Sequence, residues 1–110
     1  MIDDEICRRL TSRLAALDSE DAASEGARSI VKLDQSSTGR LSRMDALQHQ
    51  AMAQAQLRRR AAERLRIRAA LERLDEGEYG YCTDCGEAIE PARLDIDAAL
   101  ARCTECTRSA

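Results

Sequence analysis

Four cysteines of this chain have a spacing that can do chemistry. Cys82-Thr-Asp-Cys85 and Cys103-Thr-Glu-Cys106 are two Cys-x-x-Cys pairs separated by seventeen residues. Two residues between cysteines let one tight turn aim both sulfurs at a single ion, and a second such turn completes a tetrahedron. The separation falls in the range of four-cysteine zinc sites. Gly86 follows the second cysteine, where a metal knuckle favours a residue of positive φ. Four thiolates fill the coordination sphere of zinc, so one structural Zn2+ held by Cys82, Cys85, Cys103 and Cys106 is expected, with no position open for water. Paired disulfides are disfavoured, because nothing resembles a secretory signal. A redox dithiol is disfavoured too, because the segment has no βαβ pattern. The fifth cysteine, Cys7, lies far from these and reads as a small residue on a helix face.

The rest of the chain must position this cluster. It has 110 residues with 17 basic and 20 acidic side chains, no Trp, no Phe and two Tyr, so a large aromatic core is out of reach. Its Ala, Leu, Arg and Glu content, with one proline at position 91, suits long helices or a coiled coil. A small zinc module offsets a thin core by metal binding. No apolar run is long enough to span a bilayer, and a cytoplasmic protein is expected. Lys32 is the only lysine. The net charge of −3 and the lack of aromatics argue against a nucleic-acid coat.

Ile2, Ile6, Leu10, Leu14 and Leu17 form one helical stripe, with Asp3, Asp4 and Glu5 in a first turn that favours acids. The following polar stretch leaves two readings open: the helix continues through Ala22, Ala23 and Ala27, or it ends near Gly26. Ile30, Val31 and Leu33 make a short apolar patch. Asp34 to Arg40 is a cluster of turn formers and reads as a loop. Ser42-Arg-Met-Asp45 has the form of a capping box that opens a second helix, uninterrupted to Glu76. On that helix Leu47, Ala51, Ala55, Arg58, Ala62, Leu65 and Ala69 suggest a thin seam. Leu57, Ala61, Ile67, Leu71 and Leu74 occupy other faces and are expected to meet the N-terminal segment or the zinc module. The fold class expected is all-α: an antiparallel helical hairpin (coiled coil) with a small C-terminal four-cysteine zinc-finger module. Residues 1–76 form the hairpin, with a tip loop at about 34–44, and residues 77–110 form the zinc module. Ile89, Leu94, Ile96 and Leu100 are candidates for a small core beside the metal. Pro91 starts a turn or a short helix, and little room is left for a helix after Cys106.

Tyr79-Gly80-Tyr81-Cys82-x-x-Cys85-Gly86, Ala92-Arg93-Leu94 and Cys103-x-x-Cys106, placed after a helical hairpin, resemble the DksA/TraR zinc-finger proteins of bacteria. The resemblance covers about residues 40 to 106. It implies a regulator that binds RNA polymerase directly through the secondary channel, without contacting DNA. Such proteins modulate initiation at stable-RNA and amino-acid promoters, in several members with the alarmone ppGpp in the stringent response. The resemblance places Asp45 and Ala46 at the coiled-coil tip, although Ser42 stands where the family carries a first Asp and Ala46 follows Asp45 without an intervening residue. Asp34 is a second candidate acid there. The resemblance also places Arg59 and Arg66 at positions of contact with ppGpp and polymerase, while Thr107 stands where some members carry a lysine. The bland reading of Arg58, Arg59, Arg60, Arg64, Arg66, Arg68 and Arg73 is a solvated face with pairs such as Arg59–Glu63.

Two other classes compete. A DNA-binding zinc ribbon needs a basic module, whereas this one carries Asp84, Glu87, Glu90, Asp95, Asp97 and Glu105 against Arg93, Arg102 and Arg108. A zinc-stabilised coiled-coil adaptor unrelated to polymerase fits the same elements. No enzyme is expected: His49 is the only histidine, and no nucleophile–base constellation is visible. A monomer is expected.

Overall fold

The computed structural model describes residues 2–34 and 40–109, with the side chains of residues 2, 26–42 and 109 left aside. Four helices follow one another: α1 (Ile2–Asp34), α2 (Arg40–Glu76), α3 (Pro91–Ile96) and α4 (Thr104–Ser109). The architecture is an antiparallel helical hairpin followed by a small module in which the four cysteines converge. Among the described residues the only β pairing is an isolated antiparallel bridge between Tyr81 and Ala88. No helix of the described residues is long and apolar enough to cross a membrane.

The chain divides into two compact units. Unit 1 holds residues 1–14 and 63–110; unit 2 holds residues 15–62. In unit 1, Leu10 of α1 and Ile67 and Ala70 of α2 are buried, as are Ile89, Ala98 and Ala99 of the zinc module. Arg13 of α1 donates to both carboxylate oxygens of Glu63 on α2, at 2.7 and 3.0 Å. In unit 2, Leu17 is fully buried. Asp21 of α1 and Arg60 of α2 form an ion pair there, with only 13% of the arginine side chain exposed. Each unit thus holds an ion pair between α1 and α2.

The α1 stripe holds: Ile6 and Leu14 are half-buried, and Leu10 and Leu17 are buried. Helix α1 continues through Gly26 to Asp34, which resolves the open end of the first helix. The apolar patch of Ile30, Val31 and Leu33 lies outside the described side chains.

The seam expected on α2 is on the wrong face. Leu47 and Leu65 are 64% and 67% exposed, and Ala51, Arg58 and Ala62 are exposed as well. The covered positions run Ala46, Ala53, Arg60, Ile67 and Leu74, with Leu57, Arg64 and Leu71 beside them. This is a strict seven-residue repeat. The alanine stripe offered the cleaner spacing, but Leu57, Ile67, Leu71 and Leu74 carry more apolar surface, and burial follows area rather than regularity. Arg60 enters the seam because its guanidinium finds Asp21 there.

Helix α2 begins at Arg40, two residues before Ser42, so Ser42 lies in its first turn rather than at the cap, and Asp45 lies in the second turn. Of the span 34–44 expected for the loop, residues 35–39 lie outside the described residues. The other end of α2 is explicit. Gly77 has φ 75°, its N–H bonds Leu74 O at 3.2 Å, and Glu78 N–H bonds Arg73 O at 2.7 Å. This paired closure with a left-handed glycine is a Schellman motif, and it turns the chain out of the helix into the zinc module.

Candidate metal centre

The module is built from turns, each fixed by backbone groups. After Gly77, Ile89 N–H bonds Gly80 O at 2.8 Å and Cys82 N–H bonds Glu87 O at 2.7 Å, which closes a small loop around the first cysteine pair. Gly86 N–H returns to Cys82 O at 3.0 Å. Gly86 adopts the left-handed conformation, φ 78°, as its place after Cys85 suggested. Thr83 N–H bonds Ala101 O at 2.8 Å and ties the first knuckle to the segment before the second.

Pro91 occupies the first turn of α3, where its missing N–H costs nothing. The second knuckle runs straight into α4. Thr107 donates its N–H and its hydroxyl to Cys103 O, at 3.0 and 2.8 Å. The turn after Cys103 is therefore helical and Cys106 sits one turn on, so a helix of six residues fits where little room was expected. Ile89 is buried as anticipated, and Leu94 and Leu100 are half-buried, but Ile96 is 87% exposed. Ala98 and Ala99 are buried instead. Asp97 causes this reversal: its carboxylate accepts Ala99 N–H at 3.1 Å. The chain turns there at the end of α3, so the residues after Asp97 point inward and Ile96 outward.

The four sulfurs of Cys82, Cys85, Cys103 and Cys106 all lie within 4.8 Å of one another. Cys85 Sγ and Cys103 Sγ are 3.6 Å apart. A tetrahedron with Zn–S bonds of about 2.3 Å has sulfur–sulfur edges of roughly 3.8 Å, so the set fits zinc. Cys82 and Cys103 are buried, Cys106 is half-buried and Cys85 is exposed. Backbone N–H groups favour the thiolate form at the first position. The amide of Cys103, then those of Cys85 and Asp84, pull Cys82 down to about 6 against the effect of desolvation; the Asp84 N–H is 3.4 Å from its sulfur. Cys106 is pushed well up, because the neighbouring sulfurs, Cys82 first and then Cys103 and Cys85, favour its protonated form. A zinc ion supplies the charge that lets all four ionise, and with four sulfurs bound its role is structural. Cys7 stands apart, exposed on α1.

Around the cluster, side chains hold carbonyls that the turns leave over. Tyr79 donates its hydroxyl to Ala98 O at 2.6 Å, and burial raises its pKa. Arg93 donates to Arg102 O at 3.2 Å, and Arg102 donates in turn to Asp84 at 2.7 Å. Thr104 donates to Glu90 at 3.1 Å. These partners are 9 to 19 residues apart in sequence, and no short-range spacing announces them.

The remaining candidate residues are not gathered at the cluster. Asp45 is exposed and Ala46 half-exposed, both in unit 2. Arg59 is exposed in unit 2. Arg66, in unit 1, donates to Asp97 at 2.5 Å. Glu63 bonds Arg13 rather than Arg59. The hydrogen bond from Arg13 is the main cause that holds its carboxyl below the usual value, and the nearby Arg66 contributes less. Arg13, Glu63, Arg66 and Asp97 thus form a charge-balanced group that the basic look of α2 concealed. His49 is exposed.

A helical hairpin carrying a closed C4 zinc finger is the class these observations define. Residues 77–110 match the prokaryotic dksA/traR C4-type zinc finger. The chain also matches the structure of transcription factor DksA2 from Pseudomonas aeruginosa, with a TM-score of 0.80 and 21% sequence identity over 97% of this chain and 81% of that one. The fold is therefore shared along nearly the whole length. No curated protein matches the sequence significantly.

Proposed function

We propose that this chain is a DksA-type regulator of transcription initiation that binds bacterial RNA polymerase directly through the secondary channel. The observation that carries the reading is a dksA/traR zinc finger set on the fold of a DksA2 transcription factor. The mechanism needs no catalysis. Asp45 and Ala46 lie in the second turn of α2 and act as the tip, where an exposed carboxylate perturbs cations that neighbour the polymerase catalytic centre. The zinc finger fixes how the chain leaves α2. The protein works in the cytoplasm without sequence-specific DNA contact, and its targets are stable-RNA and amino-acid promoters in the stringent response. Arg59 and Arg66 contribute to ppGpp and polymerase contact. For Arg66 this requires exchanging Asp97 for a phosphate, a strong alternative acceptor for a guanidinium.

Binding to purified bacterial polymerase, paired with transcription from a ribosomal RNA promoter with and without ppGpp, tests this. Inhibition upon binding is expected. Asp45→Asn should weaken the transcriptional effect more than the binding, and Ala at positions 59 and 66 should reduce the response to ppGpp. Absence of binding overturns the reading and leaves an adaptor on the same fold.

A further inference from the structure

The outward face of α2 in unit 2 is unlike the rest of this charge-rich chain. From Ala46 to Leu57 it carries no acid, no lysine and no arginine. Met52, at the middle of this interval, is 62% exposed. Asp45 lies seven residues before it and Arg59 seven residues after, both exposed. Seven residues are two helical turns, so the three side chains share one face, with each charge roughly 10 Å along the axis from Met52. Gln48 and Ala55 fill the intervening turns of the same stripe. The stripe thus runs negative, neutral, apolar, small, positive, and all of it but the half-buried Ala55 is exposed.

A surface of this kind has a definite complement. An acidic partner helix would suit Arg59 and repel Asp45, and a basic one would do the reverse. A partner that is positive opposite Asp45, apolar opposite Met52 and negative opposite Arg59 is the same stripe read backwards. We infer that two copies of this chain associate through α2 in an antiparallel, two-fold pairing centred near Met52, with Asp45 of each copy against Arg59 of the other. A parallel pairing sets Asp45 against Asp45 and Arg59 against Arg59, and is disfavoured by like charge. The two-fold makes the contact self-complementary, as isologous interfaces are. The stripe is short and its one large apolar side chain is Met52, whereas stable interfaces bury roughly 1,200 Å² or more, so the dimer is weak and forms as concentration rises. The monomer expected from sequence is its dilute form. The pairing covers Asp45 and Arg59, so the dimer is a reserve form excluded from polymerase; this consequence, though not the pairing itself, rests on the function proposed above.

Sedimentation velocity on the zinc-loaded chain, from about 10 μM to about 1 mM, reads the association, and raising the salt to about 0.5 M should weaken it by screening the two pairs. Asp45→Arg and Arg59→Asp should each raise the dimer Kd by about fivefold or more, while the two together return it to within about twofold of the parent. In a Cys7→Ser background, Met52→Cys should be joined to its copy by a short bis-maleimide far faster than Gln54→Cys, which projects from a different face. A chain that stays monomeric throughout, or a dimer indifferent to both charge reversals, overturns the inference. Restoration by the double reversal in a protein that fails to bind polymerase upholds the dimer and removes the proposed function instead.

Discussion

Unit 1 surrounds its small apolar core of Ile67, Ala70, Ile89, Ala98 and Ala99 with four convergent thiols and several long-range hydrogen bonds. Unit 2 has Leu17 as its buried apolar residue among those described, and its other covered positions are alanines, Leu57, Ser24 and the Asp21–Arg60 pair. One unit is organised by chemistry at points, the other by a repeat along two helices. The difference shows where a short chain of low aromatic content places its specificity. Where apolar area is scarce, a metal and a few charged groups take over the work of choosing one arrangement.

Metal removal gives the largest contrast. Structural zinc contributes on the order of 10 kcal/mol to small modules near neutral pH. Chelation, or Cys82→Ser, should therefore unfold residues 77–110 while α1 and α2 keep much of their helix. Circular dichroism and amide exchange followed together with zinc release check this. Equal loss of helix in both units would erase the distinction. Acidification should act in the same direction. Thiolates bind zinc and thiols do not, so affinity falls as pH falls.

Leu17→Ala should be the largest single loss in unit 2. The side chain is fully buried, and truncations of this kind cost about 2–5 kcal/mol. Thermal melts of the zinc-loaded protein measure it, with Leu47→Ala on the exposed side of α2 as the control expected to change stability little. A comparable loss at Leu47 would restore the alanine seam that the sequence suggested.

That reversal marks the border of what was legible in the sequence. The cysteine set was readable because two intervening residues impose a turn and a tetrahedron needs two such turns. Gly86 and Pro91 were readable because each has a backbone restriction that its position uses. The α1 stripe was readable because its large residues and its regular spacing coincide. On α2 they do not: the regular stripe is alanine, and the bulky residues lie elsewhere. Arg60 in the covered seam could not be anticipated without knowing that Asp21, 39 residues earlier, would face it. The outward turn of Ile96 depended on one carboxylate accepting Ala99 N–H, a local choice that hydropathy does not record. Asp97 serves both that turn and the Arg66 pair, and neither use follows from its place among the acids of the module.

Tyr79→Phe should have a smaller effect, confined to unit 1. It deletes the hydroxyl that Ala98 O accepts at 2.6 Å, and Ala98 is only 8% exposed. An ordinary hydrogen bond is worth about 1 kcal/mol, with more lost when a buried carbonyl is left without a donor. Amide exchange at Ala98 and Ala99 should accelerate, with the four thiols still able to hold zinc. If zinc affinity fell as steeply as in a cysteine variant, the hydroxyl would have to be counted part of the metal centre.

The smallest effect sharpens the comparison most. The carboxyl of Glu63 is held below its usual value chiefly by the hydrogen bond from Arg13. A lowered folded pKa means the unfolded chain takes up the proton first as pH falls. The contribution is therefore complete above the ordinary carboxylate value of 4.5 and disappears as pH drops through the lower folded value. The pair is partly exposed, 44% for Arg13 and 32% for Glu63, so screening keeps it within about 1 kcal/mol. Glu63→Gln should flatten the acid limb of the stability profile of the α1–α2 pairing in zinc-free protein, where those helices remain and thiol titration no longer dominates. The Arg60–Asp21 pair of unit 2 has an arginine only 13% exposed, and breaking it by Arg60→Ala should cost more, because desolvation leaves Asp21 in surroundings that favour a partner. A larger loss from the exposed pair than from the covered one would mean that charge, and not burial, orders the two units.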